Sequence, residues 1–583
     1  MSANTEPETN DAEMTFSRLR VLAFFLVFGL AVVIGQVVRY QVIEAHYLRQ
    51  EAIAQRTWTE EIPATRGAIL DARSHPLALD VYQWDISASP DLVSDPEETA
   101  SALAGLLGQP VEEVYAKLTA PQKWVPLADH VEQSVGEAIA ALDAPGIVCT
   151  PKPLRVYPEG DLFAHLLGIV NDMRIGFYGV EGFYHQTLQG KAGHRTVEKD
   201  PIGNPIPIPP VEEEPPQPGA QLILTVDRNI QHIAYEELRR ALETYGAESG
   251  SVVVMDPRSG AILASVSLPS YDPNAFAKAD MKLLQDPVVS SMWEPGSIFK
   301  VITWGAGLDT GTISPGTTFY DDGSLEVGGR VIRNWDRRGH GLVTMSDGLV
   351  QSLNTVAAFI STSTGKKPFY NYLRRFGMGQ LTEVDLASEG PGMVKLPGDS
   401  NWFPSELGTN SFGQGIAVTP IQMIRAVAAI ANDGMLMKPY VVRAFVVQDE
   451  EGGWRTVPVE PMAVRQAITR DTARTLTEMM VRVVEEGATE AQVPGYRIAG
   501  KTGTAQIPTP YGYHPSDTIA SFVGFAPADD PRFIVLVKLD RPRTSPWGSR
   551  TAAPTFRAIA RRLFVYMQIP PDDVRLGRSG GQP

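Results

Sequence analysis

The chain has 583 residues, of which 43% are hydrophobic and 20% charged, so it is long enough for about two to four domains. Its formal net charge of −16 and its lack of a basic tract argue against a nucleic-acid partner. The single cysteine, Cys149, excludes an intrachain disulfide and a metal site built from cysteines.

An uncharged apolar run occupies residues 21–38. The run is just long enough to cross a bilayer as a helix. A cleaved signal peptide and a buried helix are the alternatives. However, no small-residue cleavage site follows closely, and the run exceeds the usual apolar core of a signal peptide. We therefore expect a cytoplasmic tail over residues 1–20, a membrane anchor over 21–38 and an extracytoplasmic chain thereafter.

Residues 39–218 are predicted to form a separate region. Helix-forming residues without Gly or Pro continue the anchor over 41–56, and further helices are predicted over 91–107 and 111–118. Residues 201–218 are rich in proline, which indicates an extended connection rather than a regular element. We place a domain boundary at the end of this connection.

The pattern of predicted elements changes after residue 218. A strand over 221–226 precedes a helix over 229–242, whose apolar residues recur at helical spacing. Two buried strands, 251–255 and 261–266, flank the turn sequence Asp-Pro-Arg-Ser-Gly and so predict a hairpin. A helix followed by a hairpin indicates an antiparallel sheet covered by helices, in an α+β or mixed layered fold.

The segment 294–300 places a serine and a lysine three residues apart. Pro295 and Gly296 predict a turn, after which Ser297 is expected to cap a helix. One helical turn then brings the Lys300 amine close to the Ser297 hydroxyl, which a desolvated amine can activate as a base. Alone, Ser-x-x-Lys is a weak signal, because most such matches are capped helices with a solvated lysine.

Two later segments add candidate site residues. Thr344–Asp347 predicts a capping box, and Ser352 and Asn354 follow at a turn between two helices. A strand over 496–500 leads into Lys501–Ala505, where glycines let a ligand approach a sheet edge closely. Taken singly, Ser352 and Asn354 are more simply helix caps, and the second segment is a glycine-containing strand end.

The three segments follow one another as Ser-x-x-Lys, Ser-x-Asn and Lys-Thr-Gly, the ordered motifs of penicillin-recognising serine acyltransferases. From residue 19 to about 565, the chain resembles the class B, monofunctional penicillin-binding proteins, which are bacterial peptidoglycan D,D-transpeptidases. The first external region is similar to their pedestal, or dimerisation, domain in three motifs: Arg66-Gly67-Ala68-Ile69-Leu70-Asp71, Arg155-Val156-Tyr157-Pro158 and Gly179-Val180-Glu181-Gly182.

The resemblance implies a fold and a domain organisation. The pedestal would cover residues 39–218, and a penicillin-binding transpeptidase domain of the serine β-lactamase-like fold would cover 219–567. A disordered tail is expected over 568–583. No metal and no cofactor is implied. The partners implied are stem peptides ending in D-Ala-D-Ala, β-lactams, the membrane through one helix, a membrane glycan polymerase and division proteins.

The resemblance also implies a role for each site residue. Ser297 would attack the penultimate D-alanine carbonyl of a stem peptide, and Lys300 would accept the serine proton. Ser352 would relay a proton to the leaving amine. Asn354 would hold Lys300 and the substrate backbone. Lys501 would set the electrostatic potential around Ser352 and the substrate carboxylate.

The Lys-Thr-Gly segment would bind substrate. The hydroxyls of Thr502 and Thr504, on either side of Gly503, would bind the substrate carboxylate. The backbone N–H groups of Ser297 and Thr504 would form an oxyanion hole.

Within the class, Glu294 and the sequence Ser411-Phe412-Gly413-Gln414-Gly415 resemble the division, or septal, enzymes. An elongation-type transpeptidase and a catalytically silent scaffold of the division machinery are the alternatives. The scaffold would predict a broken set of motifs, and all the motif residues are intact. A serine β-lactamase is disfavoured because those enzymes are typically soluble and much shorter.

Overall fold

The computed structural model describes residues 9–198, 212–449, 451–509 and 512–577. The chain divides into two compact units. One unit comprises residues 1–64 and 191–217, and the other comprises 65–190 and 218–583. This division differs from the predicted one, because most of the expected pedestal belongs to the same unit as the expected catalytic domain.

The first unit contains the apolar N-terminal helix, Thr9–Val38. The stretch Phe16–Ile43 is long and apolar enough to cross a membrane. Its most apolar 18 residues have a mean hydropathy of 2.7 and are not buried within the protein. The predicted continuation of the anchor is interrupted. A π-helical turn, Arg39–Ile43, precedes the helix Ala45–Arg56, and Glu44 between them accepts a hydrogen bond from Arg39 Nε at 2.8 Å.

This unit also holds a three-stranded antiparallel sheet. Its strands, in spatial order, are Thr57–Ile62, Gly193–Glu198 and Glu212–Glu214. The proline-rich connection predicted over 201–218 therefore contains a short strand, because Glu212–Glu214 pairs with the segment His194–Thr196. Residues 201–211 of that prediction lie outside the described residues, as do residues 1–8 of the predicted tail.

In the second unit, one seven-stranded sheet joins the expected pedestal to the expected catalytic domain. Its strands run in the order Trp454–Pro458, Val442–Gln448, Gln221–Leu224, Ile69–Leu70, Pro76–Ala88 and Val125–Glu132, and Ile147–Val156 also pairs with Pro76–Ala88. Strands from both sides of residue 218 thus share main-chain hydrogen bonds.

The helices of the pedestal part match the predictions unevenly. The helix predicted over 111–118 is present as Val111–Leu118. The helix predicted over 91–107 begins later, at Pro96, because the Asp95 side chain caps it by accepting from Glu98 N. The remaining helices of this part are Gln133–Ala140, Ala164–Leu167, Gly179–Phe183 and His185–Leu188.

A buried ion network brings together the three pedestal motifs. Arg66 and Arg155 each donate through Nε to a carboxylate oxygen of Glu181, both at 2.7 Å. Arg155 and Arg174 donate to Asp80 at 3.3 and 2.6 Å. All of these side chains except Arg174 are at most 3% exposed. The motifs therefore share one structural role, which is to satisfy buried charges between strands and helices.

A five-stranded antiparallel sheet forms the centre of the region predicted as the catalytic domain, residues 219–567, which we call the catalytic part. Its strands run in the order Ile262–Leu268, Ser249–Met255, Phe533–Asp540, Gly512–Ala526 and Ala499–Thr509. Alternate residues face two cores: Val252 and Val254 pack with one cluster, whereas Val253 and Met255 pack with the other. Burial on both faces explains the continuous apolar run in this strand. The predicted hairpin and helix-covered antiparallel sheet are confirmed.

Helices pack on both faces of this sheet, among them Arg228–Tyr245, Pro420–Ala431 and Ala552–Tyr566. The other α-helices between residues 219 and 567 are Pro287–Ser290, Lys300–Asp309, Met345–Val350, Asn354–Thr364, Lys366–Arg375, Glu406–Thr409 and Arg470–Arg482. Small antiparallel pairs complete the part: Thr318–Asp321 with Gly341–Thr344, Ser324–Val327 with Arg330–Arg333, Met393–Val394 with Ile416–Ala417, and Met435–Met437 with Ala463–Gln466.

The tail predicted as disordered from residue 568 is ordered as far as residue 577. It contains the helix Asp572–Arg575, and Asp572 Oδ2 accepts from Arg497 N at 2.6 Å. Arg575 pairs with Asp529. These ion pairs and backbone bonds hold a segment that its composition alone had indicated to be disordered. Residues 578–583 lie outside the described residues.

Candidate active site

Ser297 lies in a 3₁₀ turn, Gly296–Phe299, which leads into the α-helix Lys300–Asp309. The prediction that Ser297 caps this helix is wrong, because the residue is inside the turn and makes no capping hydrogen bond. The 3₁₀ geometry nevertheless aligns residues three apart, since it has three residues per turn. Ser297 and Lys300 therefore lie on the same side of the chain, as the spacing predicts.

The segment that follows Asn410 packs against the turn that contains Ser297. Gly296 N donates to Gly413 O at 3.3 Å, and Thr303 Oγ1 donates to Ser411 O at 2.6 Å. Gly413 has φ +78°, and a Cβ there would lie 2.4 Å from Gly296 O. Both the backbone conformation and the close approach thus require glycine at this position.

Two buried lysines meet at the hydroxyl of Ser352. Lys300 Nζ lies 3.2 Å and Lys501 Nζ 3.0 Å from Ser352 Oγ. Lys300 also donates to Ser352 O at 2.5 Å and to Asn354 Oδ1 at 2.8 Å. Among the described residues, the Ser297 hydroxyl is not one of these hydrogen-bond partners. The structure thus brings four of the five predicted catalytic side chains into one hydrogen-bonded cluster.

Burial sets the protonation of this cluster. Both lysine side chains are fully buried. Burial lowers the pKa of the Lys300 amine well below its usual value, and the charge of Lys501 lowers this pKa further. Burial also lowers the pKa of the Lys501 amine, to about 7. A desolvated amine next to another amine favours the neutral form, which is the form that can accept a proton.

Ser352 lies in the turn between the helices Met345–Val350 and Asn354–Thr364, and Asn354 is the first residue of the second helix. The predicted capping box before them is confirmed, with Thr344 as the cap. Ser352 has φ +58°, a backbone conformation uncommon for a residue with a side chain. The simpler interpretation of Asn354 as a helix cap is wrong, because its side chain bonds Lys300 and donates to Arg333 O at 3.0 Å.

Asn334 is a site residue that the sequence analysis missed. Its Oδ1 accepts from Asn354 N at 3.0 Å and from both N and Oγ1 of Thr355, at 3.2 and 3.0 Å. Its Nδ2 donates to Asp321 Oδ2 at 2.7 Å and to Arg338 O at 3.1 Å. This buried amide therefore holds the start of the Asn354 helix. The sequence offered one signal for Asn334, namely a polar residue directly after a strand. That signal did not indicate which helix the Asn334 side chain would contact.

The Lys501 segment lies within a strand, Ala499–Thr509, at the edge of the five-stranded sheet. The predicted strand over 496–500 begins later than expected, and it includes the motif because Lys501 pairs with Val523 and Thr504 with Ala520. Thr502 lies next to the Lys501 amine, which is 3.2 Å from Thr502 O. The edge position was expected from the glycines and is confirmed.

Gly503 has a different role from the expected one. A Cβ at this position would lie 2.4 Å from Ser521 Oγ and 2.9 Å from Ile298 Cγ2. The glycine therefore allows the turn Gly296–Phe299 to pack against the strand. The Thr504 hydroxyl, expected to bind substrate, accepts a hydrogen bond from Gly548 N at 3.1 Å.

Ser297, Asn354 and Thr504 line one cleft of about 690 Å³. Trp335 and Trp547 also line it and contact each other edge to face, with ring centroids 5.2 Å apart. The Lys501 strand and the segment around Asn334 both line the cleft. The arrangement provides a serine hydroxyl, a desolvated amine and an exposed strand edge, which suit acyl transfer from a peptide or amide.

Comparisons with known proteins show the family of the chain. A model of the penicillin binding protein transpeptidase domain matches residues 250–561, and one of the penicillin-binding protein dimerisation domain matches 61–224. Stage V sporulation protein D of Bacillus subtilis is 33% identical over 563 residues, which cover 94% of this chain and 86% of that protein. The chain belongs to the class B penicillin-binding proteins. It is a serine-type peptidoglycan D,D-transpeptidase.

Other members of the family are similar over nearly their whole length. Peptidoglycan D,D-transpeptidase FtsI of Escherichia coli is 30% identical, with 96% of this chain and 93% of that protein covered. A peptidoglycan synthetase from Bifidobacterium adolescentis has a TM-score of 0.74 at 26% identity, covering 89% and 98% of the two chains. Penicillin binding protein 3 of Mycobacterium tuberculosis, complexed with aztreonam, has a TM-score of 0.68 at 27% identity, covering 88% and 98%.

Proposed function

We propose that Ser297 is the acyl-enzyme nucleophile of this penicillin-binding protein. Its Oγ attacks the carbonyl carbon of the penultimate D-alanine while the Lys300 amine accepts the hydroxyl proton. The C–N bond to the terminal D-alanine then breaks, and a proton passes through the Ser352 hydroxyl to the leaving nitrogen. D-Alanine departs and leaves an ester on Ser297.

The observation that carries this proposal is the cluster around Ser352. Because Lys300 and Lys501 lie 3.2 and 3.0 Å from the same hydroxyl, a proton can move between the general base and the leaving-group side of the site. The low pKa of the Lys300 amine supports its role as a base near neutral pH. The bond from Lys300 to Asn354 supports a positioning role for Asn354.

The same site would bind the substrate's terminal carboxylate and its developing oxyanion. Lys501 supplies positive charge, and the hydroxyls of Thr502 and Thr504 supply hydrogen bonds. The backbone N–H groups of Ser297 and Thr504 form the oxyanion hole, a contribution of about 3 kcal/mol per donor. Because Thr504 Oγ1 already accepts from Gly548 N, its hydroxyl hydrogen is left available to donate to a carboxylate.

The acyl-enzyme completes the cycle by reaction with an amine of a neighbouring stem peptide. That amine attacks the ester carbonyl, the new amide forms, and the proton returns to the Ser297 oxygen. A β-lactam resembles the D-Ala-D-Ala end of the donor and acylates Ser297 in the same way. It releases slowly because its opened ring stays attached to the ester and no amine acceptor takes its place.

We further propose a septal role at the outer face of the membrane, with the N-terminal helix as anchor and a membrane glycan polymerase and division proteins as partners. The apolar stretch Phe16–Ile43 supports the anchor. The branch assignment is supported by Glu294 and the segment Ser411–Gly415, which resemble the division enzymes in sequence. In the structure the two are in contact, because Glu294 accepts hydrogen bonds from Gly415 N at 2.9 Å and from the Tyr513 hydroxyl at 3.0 Å. An elongation role is the alternative.

Labelling with a fluorescent penicillin tests the chemistry. The full-length protein should form one covalent adduct, and Ser297→Ala should form none. An adduct that persists in Ser297→Ala would contradict the assignment of the nucleophile. Depletion of the protein in its host tests the role, since filamentous cells are expected and swollen cells would instead indicate elongation.

A further inference from the structure

The charged residues that line the active-site cleft are three arginines, Arg330, Arg333 and Arg337. Within the described part of the chain, no aspartate or glutamate lines the cleft with them. This is notable because the whole chain has a formal net charge of −16. No ion pair or side-chain hydrogen bond is formed by the three guanidinium groups with any described residue. The cleft therefore has one positively charged side, which we name the arginine rim.

The nearest acidic groups are already engaged elsewhere. Glu294, whose pKa is affected by the charge of Arg330, accepts hydrogen bonds from Gly415 and Tyr513. Burial raises the pKa of Glu294 despite those bonds, which weakens its ability to neutralise the arginine. Asp336, between two of the rim arginines in sequence, lies 3.1 Å from His340 Nε2. The positive charge of the rim is therefore available to a ligand.

The arginine rim has a fixed position in the active-site cleft. The strand Arg330–Arg333 pairs with Ser324–Val327, and Arg333 O accepts from Asn354 Nδ2 at 3.0 Å. Asn334 holds the following loop by donating to Arg338 O at 3.1 Å. Trp335 of that loop donates through Nε1 to Gln351 O at 3.2 Å. These bonds place the arginines on a backbone that is attached to the Ser-x-Asn motif itself.

Arginine is well suited to bind carboxylates, because its planar fork donates two parallel charge-assisted hydrogen bonds. Lys501, Thr502 and Thr504 can bind the terminal carboxylate of a D-Ala-D-Ala peptide. An acyl donor that contains acidic residues before this terminus carries further carboxylates, and they must lie along the cleft when the penultimate carbonyl reaches Ser297. The arginine rim is the described part of the cleft with matching charge.

We propose that the arginine rim selects acyl donors whose residues before D-Ala-D-Ala carry free, unamidated carboxylates. The inference rests on the proposed function, since it assigns a substrate preference to the same site. It names the donor peptide, not the acceptor, as the ligand of Arg330, Arg333 and Arg337.

The test uses the full-length protein in detergent and two synthetic pentapeptide donors ending in D-Ala-D-Ala. Both contain a γ-linked D-glutamate and a diamino diacid, and they differ only in whether those carboxylates are free or amidated. We expect kcat/KM for D-alanine release to be about tenfold higher for the free donor than for the amidated donor. This ratio of the two kcat/KM values should fall as salt is added, because salt screens the charges. Arg330→Gln, Arg333→Gln and Arg337→Gln should each reduce the ratio.

Arg338→Gln is the matched control, because this exposed arginine lies in the same loop but does not line the cleft. The ratio should stay at its wild-type value in this variant. A ratio near one in the wild type, or a ratio unchanged in all three rim variants, would overturn the proposal. Rim variants that slow only transfer to an added acceptor amine would also overturn it.

A penicillin with an uncharged side chain distinguishes failure of the arginine-rim proposal from failure of the proposed function. Its adduct on Ser297, measured in every variant, reports whether the nucleophile works regardless of donor carboxylates. Absence of the adduct in the wild type would contradict the proposed function. Adduct formation without donor discrimination would contradict the arginine rim alone.

Discussion

Replacing Asn334 by alanine tests how the Ser-x-Asn motif is positioned. Asn334 does not belong to any of the three motifs, yet its side chain makes five hydrogen bonds under the Asn354 helix. The residue is 2% exposed, and its partners Asp321 and Thr355 are 1% and 0% exposed. The truncation therefore removes bonds from groups that solvent does not reach.

The size of the effect follows from which groups lose their partners. Asp321 keeps bonds from Thr355 Oγ1, Gly323 N and His340 N, so its carboxylate stays satisfied. The backbone N–H groups of Asn354 and Thr355 lose their acceptor, which costs about 1 to 3 kcal/mol each when no replacement is found. We expect a loss of about 3 kcal/mol in the free energy of unfolding, because water can enter the vacated space and satisfy part of this need.

The acylation rate should fall as well. If the start of the Asn354 helix moves by about 1 Å, the Asn354 amide no longer holds Lys300, and the rate constant for acylation by a penicillin should fall on the order of tenfold to a hundredfold. Urea denaturation and stopped-flow acylation measure the two effects. Arg338→Ala is the control, since only its backbone carbonyl contacts Asn334. Stability within 1 kcal/mol of wild type and unchanged acylation of Asn334→Ala would refute the reasoning.

Three further predictions concern stability and its dependence on pH. Gly413→Ala should destabilise the protein by about 2 kcal/mol and slow acylation, because its Cβ would lie 2.4 Å from Gly296 O; urea denaturation and penicillin labelling check this. For Lys501, the folded pKa of about 7 lies below the unfolded value near 10.5, so the unfolded state binds more protons between these pH values. Stability should rise with pH there by about 1.4 kcal/mol per unit, and urea titrations of Lys501→Met should lack this increment. Glu181→Gln should cost about 3 to 5 kcal/mol of stability, because Arg66 stays buried without a charged partner, while the acylation rate of the folded protein stays unchanged.

Local pattern and motif order were sufficient for the elements and residue types of the site. The capping box at Thr344, the central hairpin and the edge position of the Lys501 strand all follow from turn residues and apolar periodicity. The same reasoning misjudged Ser297, because a Pro-Gly turn before a helix is compatible with either a capped α-helix or a 3₁₀ turn. The packing of Gly413 against Gly296, distant in sequence, favours the 3₁₀ turn.

Long-range pairing accounts for features that composition did not indicate. The boundary predicted at residue 218 relied on composition, which gives no sign that Val442–Gln448 pairs with Gln221–Leu224 and joins both regions in one sheet. The tail after residue 567 has the composition of a disordered segment, yet Asp572 and Arg575 find partners at Arg497 and Asp529. Local composition and periodicity do not indicate which strands or charges meet across such distances.

The motif residues thus depend on partners outside the motifs. Gly413 supports the turn of Ser297, Asn334 holds the helix of Asn354, and Gly548 donates to the hydroxyl of Thr504. Asn334 and Gly548 lie in loops or strand ends whose sequence carries no sign of a catalytic role, whereas Gly413 lies in the segment Ser411–Gly415 that resembles the division enzymes. Since acylation requires the three motifs to be positioned together, substitutions that alter reactivity toward β-lactams without touching a motif should be concentrated in these partner segments.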